Sequence, residues 1–215
     1  RVFHIPAGPE RPIPKTDLYE WLPEFTGGVK LASVLLDEQY DLVHSHYWLS
    51  GSIGLRAARK WGIPHIISFH TLAQIKSQAR AGEEEAPLRS GTERHLMEKS
   101  DLVVAFSPHE EQAMVSLYGV PAEKIRVVPC GVDLSMFRPI SMDHARRWLG
   151  LNGERVILWV GRVERIKGLE LLLKAAANME HRGSLKVLMV GGDVTKDLEI
   201  KRLQGLAKDL GVERT

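Results

Sequence analysis

Short apolar runs of strand length alternate with helical patterns along this chain, and that alternation constrains the fold more than any other feature. Parallel strands cannot be joined by a tight hairpin, so strand–helix–strand repeats specify a parallel sheet with helices on its faces. Residues 41–46, 65–70, 101–106 and 125–128 read as strands of a first series, and residues 2–5 as a short strand before them. A helix is expected over 50–61, closed by Gly62 with Pro64 just beyond. Another starts at Ser107 as N-cap, with Pro108 in the first turn and Glu110 at the capping-box position, and stops at Gly119. Pro129-Cys130-Gly131 then breaks the pattern.

A second series follows Pro139: a short helix to Gly150, a strand over 156–160, a helix over 167–181, a strand over 185–190 and a helix from about Thr195. The expected domains are therefore residues 1–138 and 139–215, with the boundary near 137–140. Residues 72–92 lack strong periodicity and carry Gly82, Glu83-Glu84-Glu85, Pro87 and Gly91, so they read as a functional or mobile loop. The chain opens without Met and stops soon after a helix closing at Gly211, and both ends read as cut.

Composition excludes several classes. With 44% hydrophobic and 26% charged residues the chain is globular rather than disordered. Its 29 basic and 27 acidic residues are well mixed, which argues against a nucleic-acid partner. The lone Cys130 rules out an internal disulfide and a cysteine-based zinc site, and suits a reducing, cytoplasmic setting. No apolar run approaches the roughly 20 residues that span a bilayer, and the first residues lack the apolar core of a signal peptide.

Open parallel sheets bind ligands at the carboxyl ends of their strands. There the chain places His46-Tyr47-Trp48, His70-Thr71, Ser107 and Pro129-Cys130-Gly131, then Gly161-Arg162 and Gly191-Gly192-Asp193. The turn from Gly161 to Gly168 ends a strand in glycine and carries Arg162 and Lys167 into a helix start, which suits a diphosphate. The alternative is an ordinary strand–helix turn with solvated cations. It is no P-loop, since Gly-Lys-Ser/Thr is absent.

His44, His46 and His70 raise a metal question, because alternate strand positions face one side. No His-Glu-x-x-His completes a hydrolase pattern. His44 reads better as a buried structural histidine, and His70 as a hydrogen-bond donor to a sugar hydroxyl or phosphate. Cys130 reads as a small turn residue, and Trp159 with Leu171-Leu172-Leu173 as core.

Four pieces together resemble family 4 retaining glycosyltransferases. They are His44-Ser45-His46-Tyr47-Trp48-Leu49-Ser50-Gly51, Phe69-His70-Thr71, the stretch from Pro129 to Pro139, and Gly161-Arg162 with Lys167-Gly168. The resemblance implies the GT-B fold, an α/β architecture of two Rossmann-like domains with parallel sheets, both incomplete here. It implies that Arg162 and Lys167 bind the donor diphosphate and steady the leaving group, and that His70 contacts the transferred sugar. Gly131 and Asp133 would join the donor side, in a segment that links the domains.

The stretch from His44 to Gly51 most resembles the members that use phosphorylated acceptors, inositol-phosphate glycosyltransferases first and sucrose-phosphate synthases next. On that resemblance Lys15, His46, Tyr47, Thr71 and Arg89 would bind the acceptor, two cations and two hydroxyls surrounding its phosphate. The alternative for Lys15 and Arg89 is simple solvation.

The implied function is transfer of glucose or N-acetylglucosamine from a nucleotide-diphosphate sugar such as a UDP-sugar, with retention, to inositol phosphate or fructose 6-phosphate. No metal or other cofactor is implied, and a homodimer is left open. Rival readings are a lipid or polysaccharide acceptor, a histidine-based metal hydrolase, and a non-catalytic sugar-nucleotide binding module. The family's glycine-rich loop and two-glutamate motif would lie outside these residues, so the piece alone is expected to be inactive.

Overall fold

A computed structural model describes residues 1–14, 17–36, 39–79, 87–179, 182–192 and 197–213. The chain divides into two compact units, Arg1–Val132 and Asp133–Thr215. That division lies inside the stretch 128–144, which is exposed throughout.

The first unit opens irregularly, passes through a 3-10 turn, Asp17–Trp21, and forms helix α1, Leu22–Leu35. Strands β1 (Val43–His46), β2 (His65–Ser68), β3 (Leu102–Ala105) and β4 (Ile125–Val127) then build a parallel sheet in the order β1-β2-β3-β4. Helix α2, Trp48–Trp61, crosses from β1 to β2. Helices α3 (Ala73–Ala79) and α4 (Pro87–Lys99) lie between β2 and β3, and α5 (Pro108–Tyr118) between β3 and β4. Ile67, Phe69, Met97, Val103, Ala105 and Met114 are fully enclosed where strands meet helices. Their burial supplies most of the driving force.

Local signals explain most boundaries. Gly62 ends α2 at φ 70° and Gly119 ends α5 at φ 73°, a conformation that favours glycine. Ser107 Oγ accepts from the Glu110 N–H at 3.2 Å, as a capping box requires. The return bond differs: Glu110 Oε2 accepts from the Phe106 N–H at 2.6 Å, one residue before the cap.

Helix α2 lies unusually close to the sheet, because a Cβ on Gly54 would stand 1.9 Å from Ser45 Oγ and one on Gly51 2.5 Å from Ile67 Cδ1.

Three expectations need correction. Residues 2–5, read as a strand, are irregular, and no strand lies alongside them among the described residues. Residues 72–92, read as a loop, contain α3 and the first turns of α4. The inward face of α4 opens with Arg89 and Glu93, ahead of the apolar Leu96 and Met97, which hides its period at the start. Gly82 and Glu83-Glu84-Glu85 lie outside the described residues. The Leu171–Leu173 run is only partly core: Leu173 is buried while Leu171 is exposed. Successive helical residues are about 100° apart, so three in a row cannot share one face.

In the second unit α6 (Met142–Trp148) precedes β5 (Arg155–Val160), α7 (Leu169–Ala177), β6 (Leu185–Val190) and α8 (Leu198–Asp209). Strands β5 and β6 pair in parallel from Arg155↔Leu185 to Val160↔Val190. Leu169, Leu173, Leu203 and Val212 form the core, with Trp159 half-buried against it. Gly191 follows β6 at φ 147°, and a Cβ there would fall 1.8 Å from the Gly161 carbonyl oxygen. Only glycine lets the two strand ends approach so closely.

Candidate functional site

In the first unit the strand tips carry the unusual backbone. Tyr47 after β1 and His70 after β2, at φ 78° and 62°, are the non-glycine residues with positive φ among those described. Such conformations cost of order 1 kcal/mol each and collect at ligand-binding positions. The Tyr47 N–H donates to the Ser68 carbonyl at 2.7 Å, which ties the tip of β1 to β2.

That register brings the histidines together. His46 Nδ1 lies 2.8 Å from His70 Nε2, so one ring donates to the other. The His70 ring packs on Phe106 at 4.7 Å, and the His44 ring lies 4.3 Å from that of His46. His44, expected to be buried, is exposed, though its Nε2 meets Ser68 Oγ at 2.9 Å. Partial desolvation at that bond, with His46 and His70 beside it, lowers its pKa. The buried structural histidine is His65 instead, 1% exposed. Among the described residues no group of three or more His, Cys, Asp or Glu is placed to hold a metal ion.

Tyr47, Thr71 and Arg89, three of the expected acceptor residues, form one cluster. The Arg89 guanidinium sits over the Tyr47 ring at 5.1 Å. Its Nη2 donates to the Thr71 carbonyl at 2.9 Å and hydroxyl at 3.0 Å, and its Nε to Glu93 Oε1 at 2.8 Å. Arg89 is therefore built into the fold rather than loosely solvated. Lys15 lies outside the described residues. A cavity of about 360 Å³ at the carboxyl ends of β2 and β3 is lined by His70, Thr71, Ile75, Lys76, Ser107 and Glu110 among others. Sequence reasoning missed Lys76, which lies in the stretch read as loop, and Glu93, which lies just beyond it.

In the second unit Arg162 and Lys167 share the turn after β5. Arg162 is exposed and pairs with Glu164 at 2.8 Å. Lys167 is exposed at the end of a 3-10 turn, and Gly168 at φ 72° leads into α7. The Trp159 indole N–H donates to the Lys167 carbonyl at 3.4 Å. Asp133 is exposed, and its carboxylate accepts from the Ser135 hydroxyl and N–H at 2.6 and 2.9 Å, bonds that lower its pKa. Gly131 is exposed with open space around it. Asp193 lies outside the described residues.

Residues 2–136 match the family described as Glycosyltransferase Family 4. The chain belongs to that family. A D-inositol 3-phosphate glycosyltransferase of Acidothermus cellulolyticus is 39% identical, aligned over 98% of this chain and 49% of its own length. One of Mycolicibacterium smegmatis is 37% identical, over 98% of this chain and 49% of its own.

Among solved structures, sucrose-phosphate synthase from Thermosynechococcus elongatus superposes with a TM-score of 0.83 at 32% identity, over 97% of this chain and 51% of its own. The Anabaena protein HepE, solved with UDP and glucose, superposes at 0.71 and 19% identity, over 95% and 52%, a likeness of fold. The fold is thus the α/β GT-B architecture with parallel sheets, and the chain spans about half the length of these relatives. Among the described residues no helix is long and apolar enough to cross a membrane.

Proposed function

We propose that the protein containing this chain transfers a hexosyl group, glucose or N-acetylglucosamine, with retention, from a nucleotide-diphosphate sugar to a small phosphorylated acceptor. The Tyr47–Thr71–Arg89 cluster carries the reading. A buried guanidinium held in a fixed plane over the Tyr47 ring and beside the Thr71 hydroxyl suits the tetrahedral oxygens of a phosphate. Inositol 3-phosphate stands in the relatives' names, and fructose 6-phosphate is the acceptor implied by the sequence resemblance to sucrose-phosphate synthases.

The acceptor phosphate would be held by Arg89, Tyr47 and Thr71, with Lys15 as a second cation and His46 beside them. Holding the phosphate fixes the sugar or cyclitol hydroxyl in attacking orientation, so little entropy remains to be lost in the transition state. His70, at the strained tip of β2, would hydrogen-bond the transferred sugar. Its Nε2 is engaged by His46, so Nδ1 is the nitrogen left for the substrate.

On the donor side Arg162 and Lys167 would stabilise the negative charge that grows on the leaving diphosphate, with Gly131 and Asp133 contributing to the donor site. A leaving-diphosphate oxygen would take the proton of the attacking hydroxyl. No resident cofactor enters this scheme.

The test is acceptor kinetics of the Thr71→Val and Arg89→Lys variants. Acceptor KM should rise about 10-fold or more, as expected for a lost hydrogen bond to a charged group, while donor KM stays unchanged. An unaltered KM would point to a lipid or polysaccharide acceptor instead.

A further inference from the structure

We infer that Glu93 is a positioning residue for the acceptor phosphate: it fixes the plane of Arg89 and caps the helix that begins directly after Thr71. The inference rests on the phosphorylated-acceptor reading. Glu93 is fully enclosed, 0% exposed. Its Oε1 accepts from Arg89 Nε at 2.8 Å, and its Oε2 accepts from the Ala73 N–H at 2.9 Å and from the Tyr118 hydroxyl. The Tyr118 oxygen in turn accepts from the Gln74 N–H at 3.1 Å.

The first two amides of α3 are orphan donors, and Leu72 before them has no side-chain acceptor. Both are satisfied from outside the helix, one by Glu93 on α4 and one by Tyr118 on α5. A seven-residue helix does not hold its shape alone. His70 and Thr71 therefore stand between β2 and a helix whose start is set by this carboxylate. Arg89, oriented by the same carboxylate, bonds the Thr71 carbonyl and hydroxyl from the other side.

Charge alone would give Glu93 the wrong sign. An enclosed carboxylate beside Arg89 weakens the attraction of Arg89 for a phosphate, and burying it carries a desolvation penalty. Orientation is the benefit that offsets both, and the opposed signs make the two roles separable.

The experiment titrates the full-length protein that contains this chain with inorganic phosphate and with inositol 3-phosphate by calorimetry, with unphosphorylated inositol as reference. Glu93→Gln, close in shape but uncharged, should weaken binding of both phosphates roughly 10- to 100-fold, the range for a lost hydrogen bond to a charged group. Glu93→Asp should recover part of the loss. Ile125→Val, a core change with a comparable loss of melting temperature, should leave affinity unchanged.

Phosphate bound as tightly or more tightly by Glu93→Gln would overturn the positioning role. A wild-type protein that binds neither phosphate would overturn the acceptor reading itself. If Glu93→Gln does not fold, Tyr118→Phe carries the test, since it removes one donor to Glu93 and the acceptor of Gln74. A several-fold weakening is then expected, and unchanged affinity overturns the inference.

Discussion

His65 shows how a single enclosed ring makes stability depend on pH. The Ser100 hydroxyl donates to the Leu96 carbonyl at 2.7 Å, so its oxygen is left to accept from His65 Nδ1–H at 2.8 Å. His65 Nε2 then accepts from the Ser45 hydroxyl at 2.9 Å, which fixes the neutral tautomer. Burial is the main cause that lowers the pKa of this ring to about 4, against a smaller raising effect of Asp101. Between that value and 6.5 the unfolded chain binds the proton and the folded chain does not, so stability rises with pH there. It is fully present above about 6.5 and lost as pH falls towards 4, by on the order of 3 kcal/mol for this group. Denaturant titrations at pH 7 and pH 5 should therefore show a lower midpoint at pH 5. The difference should shrink in His65→Gln, and an undiminished difference would assign the effect to other groups.

At the scale of elements, the approach of α2 to β1 sets how the first strand tip is presented. Gly54→Ala puts a methyl group 1.9 Å from Ser45 Oγ, which is already bonded to His65. Either the helix moves out or Ser45 rotates and leaves His65 without its donor, at a cost of about 2 kcal/mol or more. Alanine's better helix propensity, worth about 1 kcal/mol, does not offset this. Gly27→Ala in α1 is the matched case, since its Cβ would meet nothing within 4 Å. Thermal unfolding should show a lower melting temperature for the first variant and an equal or higher one for the second. Strands β1 to β4 and the Ser107 cap were legible in sequence because each depends on neighbours a few residues away. Helices α3 and α4 were not, for a physical reason. Glu93 caps α3 from 20 residues away and sits with Arg89 where an apolar residue would have revealed the helix. The candidate site divided along the same line: His46 ends a strand, and Tyr47, His70 and Thr71 follow strands, so these could be read, whereas Lys76 and Glu93 could not.

At the scale of the whole molecule, the irregular stretch between β4 and α6 decides how the chain comes apart. Residues 128–144 are exposed, including Phe137 and Arg138, and no strand or helix occupies 129–141. Exposed irregular backbone is where proteases cut first. Brief chymotrypsin digestion should cleave after Phe137 ahead of Leu55, Leu96 or Leu173, which lie in helices. Mass spectrometry of the first fragments checks this, and early cleavage inside α2 or α4 would contradict the two-unit division. The proposed acceptor residues, Lys15 to Arg89, all precede that stretch, and the cations Arg162 and Lys167 follow it. One genetic crossover within 129–141 would thus exchange either set between relatives and interrupt no helix or strand. On the proposed assignment of these residues, the exposed connector is a seam along which the acceptor set and the two donor-side cations would be inherited, and recombined, separately.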